Sequence, residues 1–241
     1  MFIHKNFIAF LPFLYFSLVL CFTQFRGENV QMVTLPSLNE KRCNKHIPHR
    51  SLLLCKSSRD DIVLPDLTTQ DKRALAAGKT IEKQNRNGYR GTGLVVIDIQ
   101  FSPDVVFDTL TQFSKYPDMI PIVKSSRIIS NDDLTTIAEY VFTRFLLRVN
   151  VKHTVLKEER IVKFTLDPNV KNPVFREADG FWHVEIPNDR PEGYCRVYLS
   201  AQIVIHKIVP TLLIDYAAAT ALSRATAWLK PFFKRLRIQN E

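Results

Sequence analysis

His153 is the residue of this 241-residue chain best placed to do chemistry. It alternates with Leu147, Val149, Val151 and Val155 along one strand-like run, so its imidazole falls on an apolar face. There it can serve as a general base, as a polar anchor for a bound molecule, or as a hydrogen-bonded core residue. His183 and Glu185, two residues apart, share a face of another run and make the nearest approach to a paired acid and base. Arg127 and Asp215 can either pair inside the domain or point outward. General acid–base catalysis needs an acid and a base held together with shifted pKa values, and these few residues are the candidates. Nothing forms a Ser/His/Asp or Cys/His arrangement, and Gly91 and Gly93 mark a turn too short for a phosphate loop.

The cysteines are Cys21, Cys43, Cys55 and Cys195, with no C-x-x-C pair and no histidine at zinc-finger spacing. No metal and no cofactor is expected. Cys195 reads as an ordinary buried residue on a strand. A formal net charge of +9 invites nucleic acid, lipid headgroups or an import signal. No recognition motif or dense basic helix supports nucleic acid, and much of the excess lies in the N-terminal part.

Containment asks less than catalysis: an apolar lining, a few polar anchors and a gate. Leu110, Tyr116, Met119, Phe142, Phe145, Val151, His153, Trp182, Leu199 and Tyr216 are the candidate liners of such a site. Plain core packing is the alternative for each of them. His153 and Tyr216 would supply the specificity.

The elements that must position these residues are organised around residues 193–207, a long alternating strand, and 210–230, a helix carrying small and apolar residues. Residues 93–101 (GLVVIDIQF) read as a first strand with Val95, Ile97, Ile99 and Phe101 on one face. Ser102 and Pro103 then suit the start of a short helix, Ser102 as its cap, and 113–119 a second one that ends near Pro117 and Pro121. Runs at 122–130, 135–147, 148–159, 161–167 and 180–186 follow with links too short for parallel crossovers. Along 194–206, Cys195, Val197, Leu199, Ala201, Ile203 and Ile205 oppose Tyr194, Arg196, Tyr198, Ser200, Gln202 and His206, which predicts one face on a core and one in water. Pro231 is expected to stop the last helix, and Phe232, Phe233 and Leu236 among Lys234, Arg235 and Arg237 form either a membrane-touching tail or an end packed on the body.

Ahead of the domain, residues 7–22 form an apolar run of signal-peptide length, interrupted by Pro12. An uncleaved anchor is the alternative. Residues 26–59 are basic and serine-bearing, with only Glu28 and Glu40 as acids, which is transit-peptide composition or a disordered spacer. A signal peptide at 1–25 followed by a transit-like segment resembles the two-part presequence of algae with secondary plastids. That implies a plastid destination by the secretory route; the alternative is secretion or the endomembrane lumen. Residues 60–92 read as a polar approach segment with one short helix begun near Thr68 or Thr69 and ended by Gly78, and 93–236 as the domain.

Residues 106–129 (VFDTLTQFSKYPDMIPIVKSSRII) resemble the opening of the polyketide cyclase/dehydrase and coenzyme-Q-binding branch of the START-like (SRPBCC, helix-grip) superfamily. Phe107, Phe113, Tyr116, Pro121, Ser126 and Arg127 stand where that branch has its aromatics, its proline and its Ser-Arg, while Ile122-Val123 replace its frequent Trp-Cys. Phe181-Trp182, residues 193–198 and the C-terminal helix extend the likeness over roughly 93–233. The resemblance implies an α+β fold, a curved antiparallel sheet wrapped around a long C-terminal helix with two short helices after the first strand, enclosing an apolar tunnel.

Together these readings describe a monomer that binds or transfers a hydrophobic small molecule of lipid, quinone, isoprenoid or pigment type, with transient membrane contact and no nucleic acid. A polyketide cyclase or dehydratase acting in the same cavity is the alternative, and a chaperone for a membrane complex a third.

Overall fold

The computed structural model describes residues 62, 64–142, 147–212, 214 and 223–240. Helix α1 (Thr69–Ala76) starts where Thr68 caps it: the Thr68 hydroxyl accepts from the Asp71 amide and the Asp71 carboxylate accepts from the Thr68 amide. Gly78, at φ +75°, ends it in a conformation that disfavours other residues. The chain then enters β1 (Ile81–Asn87), which pairs with β2 (Arg90–Ile99) across the Gly88 turn. Structured chain therefore begins ahead of residue 93: the segment expected to lead up to the domain supplies a helix and an edge strand.

After β2 come α2 (Pro103–Thr111), a 3-10 turn (Phe113–Lys115) and α3 (Tyr116–Met119). Ser102 precedes α2 without making a side-chain cap, contrary to expectation; Pro103 in the first turn, where an N–H would be unpaired anyway, remains as the start signal. Pro117, expected near the end of the second helical segment, lies instead in the first turn of α3, where its missing N–H costs no intrahelical bond. Six strands follow: β3 (Val123–Asn131), β4 (Thr135–Phe142), β5 (Leu147–Leu156), β6 (Ile161–Leu166), β7 (Phe175–Glu185) and β8 (Cys195–Ile205).

All eight strands form one curved antiparallel sheet in the order β1-β2-β8-β7-β6-β5-β4-β3. The run β3 to β8 is a meander of short links, and β8 closes it by returning to β2. At the far edge, β3 carries two register shifts against β4, and such bulges discourage pairing with another chain.

The main core lies on the concave face. Val95, Ile97 and Ile99 of β2, Val197 and Leu199 of β8 and Val184 of β7 pack there with Val106, Phe107 and Leu110 of α2. Helix α4 (Leu229–Asn240) adds Leu229 and Phe233, the Phe233 ring 5.2 Å from that of Phe101. Pro231 does not stop this helix but sits in its first turn, where a missing N–H costs no intrahelical bond. Of the helix expected over 210–230, residues 213 and 215–222 lie outside those described.

The convex face of β2 and β8 is not in water as the alternation predicts. Leu75 of α1 packs on Val96 and Tyr198, with Leu64 and Leu67 beside it. Next to that cover, Arg196 is bidentate on Asp98, Nε to Oδ1 at 2.7 Å and Nη2 to Oδ2 at 3.0 Å, and also meets Asp189. Burial of an arginine is tolerated here because both carboxylates are on the same side of the sheet.

Candidate functional site

The helical turn after β2 delivers aromatics onto the concave face. The Tyr116 hydroxyl donates to the Leu110 carbonyl at 2.7 Å, tying α3 back to α2. The Ser126 hydroxyl donates to the Phe113 carbonyl at 2.7 Å, which fixes the turn to β3. Phe113 is thereby set face to face with His153 of β5, ring centroids 4.0 Å apart. Tyr116 stacks on Tyr140 of β4 at 5.5 Å.

Tyr140 completes the cluster: its Oη lies 2.9 Å from His153 Nε2. The hydroxyl can donate to or accept from this nitrogen, so Nε2 is satisfied in either tautomer. His153 Nδ1 is buried without a hydrogen-bond partner among the described residues. Burial lowers the His153 pKa to about 3, which keeps the imidazole neutral at neutral pH. Burial also pushes the phenols of Tyr116 and Tyr140 well above their ordinary range. Cys195, on the same face, is free and buried, its thiol pushed up to about 12.

Eight of the ten expected liners can be placed, and they share this face. Leu110, Tyr116, Met119 and Leu199 are buried in the core cluster, Phe142, Val151 and Trp182 are half-buried against it, and His153 sits within it. Phe145 and Tyr216 lie outside the described residues. The half-buried group continues through Phe164, whose register partner in β7 is Gly180. A Cβ on Gly180 would run into Ser200 O and come within 2.6 Å of Phe164 Cζ, so the glycine lets the ring lie flat across the sheet.

The other candidates are elsewhere. His183 Nε2 is 3.9 Å from Glu185 Oε2, and Tyr198 Oη donates to Glu185 Oε1 at 2.7 Å, but all three are on the convex face. Arg127 pairs with Glu139 at 3.3 Å and is largely exposed, so it points outward. Asp215 is not among the described residues. The sequence reading left Tyr140 and Phe113 out of the site. Alternation with Ala138 and Phe142 along β4 was the signal for Tyr140; Phe113 gave none, because its approach to His153 depends on a turn.

A curved antiparallel sheet that holds two short helices and a C-terminal helix against its concave face is a helix-grip domain. Residues 99–211 match the family described as polyketide cyclase / dehydrase and lipid transport. That match and this fold are similar to those of START-like (SRPBCC) domains.

Among solved structures, a STAR-related lipid transfer protein from Xanthomonas axonopodis is similar at 14% identity over 66% of this chain and 93% of its own, with a TM-score of 0.51. A protein from Thermus thermophilus is similar at 14% identity over 67% of this chain and 99% of its own, with a TM-score of 0.50. A START superfamily protein from Mycobacterium smegmatis reaches 12% identity over 60% of this chain and 98% of its own, with a TM-score of 0.49. No curated protein matches the chain. At such identities the likeness is one of fold.

Proposed function

We propose that the domain binds and carries a hydrophobic small molecule, of lipid, quinone, isoprenoid or pigment type, on the concave face of the sheet without transforming it. The observation that supports this is the state of the interior. On this concave face the buried titratable groups, among the described residues, are Tyr116, Tyr140, His153 and Cys195, and each is held uncharged at neutral pH. An interior of this kind favours an uncharged apolar guest. His153 Nδ1, aimed at no protein group among the described residues, offers one polar anchor for a hydroxyl or carbonyl. The half-buried side chains Phe142, Val151, Phe164 and Trp182 would gain the most from a guest, at about 25 cal/mol per Å² of apolar surface covered.

A cyclase or dehydratase reading draws on the Tyr140–His153 contact and on the family description. A base works best with a pKa near the operating pH, and a histidine near 3 binds its proton too weakly for that. Mass spectrometry of an organic extract of the purified protein tests both readings. Carriage predicts a stoichiometric apolar compound whose mass is unchanged by incubation with fresh protein. An extract with no such compound, from protein made in ligand-replete cells, counts against carriage; a compound that loses water on incubation establishes the enzyme.

Residues 1–59 are proposed to deliver the domain to a plastid by the secretory route, on the strength of an apolar run followed by a basic, serine-bearing stretch. A reporter fused to these residues should reach an organelle, and one that stays in the cytosol rejects the proposal.

A further inference from the structure

Three connections meet at one end of the sheet. Residues 86–90 turn between β1 and β2, and the Ile205 amide donates to Tyr89 O at 2.9 Å. Residues 167–175 join β6 to β7, with the His206 amide donating to Val174 O at 2.9 Å. Residues 206–212 lead out of β8, so the three segments are knit side by side by main-chain bonds. From this end project two aliphatic side chains four residues apart, Ile208 at 76% and Leu212 at 69% exposure, and on the neighbouring connection Val170 at 46%.

Charge at this end is predominantly positive. Arg86, Arg90, Lys171, Arg176 and Lys207 stand in or beside these segments against two exposed carboxylates among the described residues there: Glu177, which is shared by Arg90 and Arg176, and Asp179, which lies within the field of Arg90. Lys171 and Lys207, one residue away from Val170 and Ile208, are exposed. Two other protruding aliphatics have acidic surroundings, Leu134 after Asp132 and Asp133 and Ile186 after Glu185, whereas Ile238, 65% exposed, follows Arg237.

We propose that this end of the sheet docks on an anionic lipid bilayer, Ile208, Leu212 and Val170 entering the acyl boundary and Lys171 and Lys207 meeting the headgroups. Isolated phosphate would engage the lysines and leave the aliphatics in water, and a nucleic acid surface offers no hydrocarbon for them. A bilayer supplies both at the depth difference that tips and flanking cations require. In the C-terminal helix, whose composition also suits a membrane, Phe233 is buried and Phe232 and Leu236 pack against the core, which leaves Ile238 as its one exposed large aliphatic among the described residues. Docking at the 206–212 end would put the start of the 210–230 segment at the lipid surface, although the docking itself does not require a carried guest.

Hydrogen exchange of the full-length chain, mixed with vesicles of phosphatidylcholine alone or with added phosphatidylserine, reads this surface by position. Amides in 167–175 and 206–212 are expected to slow at least tenfold on the anionic vesicles only, and to recover in high salt. The double variant Ile208→Asp with Leu212→Asp, and separately Lys171→Glu with Lys207→Glu, should abolish the slowing while β5 and β8 amides stay protected. Unchanged exchange in these segments overturns the proposal, as does equal slowing on neutral vesicles. Slowing without vesicles that rises with protein concentration alongside a doubled mass overturns it too, since the occupant would then be a second copy.

Discussion

The Tyr140 hydroxyl and the His153 imidazole meet at 2.9 Å beneath the Phe113 ring, which stacks on the same imidazole at 4.0 Å. One ring nitrogen is satisfied and the other faces no protein partner among the described residues. Such an arrangement keeps a histidine neutral by burial, and the neutrality has a measurable consequence for stability.

His153 has its pKa lowered from 6.5 to about 3 in the fold. Below pH 6.5 the unfolded chain binds a proton there that the native state refuses, so stability falls as pH drops from 6.5 towards 3. The contribution is full above the unfolded value and amounts to about 2 kcal/mol lost by pH 5. Chemical denaturation of wild type and His153→Phe at pH 7 and pH 5 should show a shallower loss in the variant. Equal losses would mean that His153 titrates normally in the fold.

Gly180 faces Phe164 across β6 and β7, with Ser200 O directly behind the place a Cβ would occupy. Gly180→Ala is expected to destabilise by about 1–3 kcal/mol, the usual cost of overpacking. Trimming the ring with Phe164→Leu should not rescue it, because Ser200 O is backbone. Thermal melts of the single and double variants decide, and full rescue would place the conflict with the ring alone.

Asp98 and Arg196 form a buried bidentate pair with side chains 2% and 4% exposed. Arg196→Met leaves Asp98 with Arg190 alone and should cost about 3–5 kcal/mol, whereas Asp98→Leu together with Arg196→Met should cost less than the single change. A double-mutant cycle by urea denaturation measures the coupling. Additive losses would show that the two side chains act independently.

The Lys230 ammonium donates to Gly78 O at 2.7 Å, just past the C-terminus of α1, and Arg190 Nη1 donates to Ala76 O at 3.3 Å. Cations at a helix C-terminus complement its dipole, so the start of α4 and the end of α1 hold each other. Lys230→Met should speed amide exchange in both α1 and α4 while leaving β5 unaffected. Exchange confined to its wild-type rate in α1 would remove the link.

Much of the layout was legible locally. Period-two patterns in residues 93–101 and 148–159 marked strands with one apolar face because a pleat alternates its side chains. The capping of α1 by Thr68 was readable too, since capping depends on neighbours in sequence. Misreadings came where distant chain intervened: Tyr198 and Arg196 looked solvent-facing until α1 and Asp98 covered them, and Pro231 looked like a terminator before the chain was seen to start α4 there.

Alternation and turn chemistry are properties of neighbouring residues, and so the sequence by itself determined the strands, the two short helices and the apolar character of one sheet face. That Phe113 and Tyr140 meet His153, and that Leu64, Leu67 and Leu75 cover the outside of the sheet, was decided only in three dimensions. Those contacts join residues far apart along the chain, and their energies exist only after the sheet has curled and brought them together.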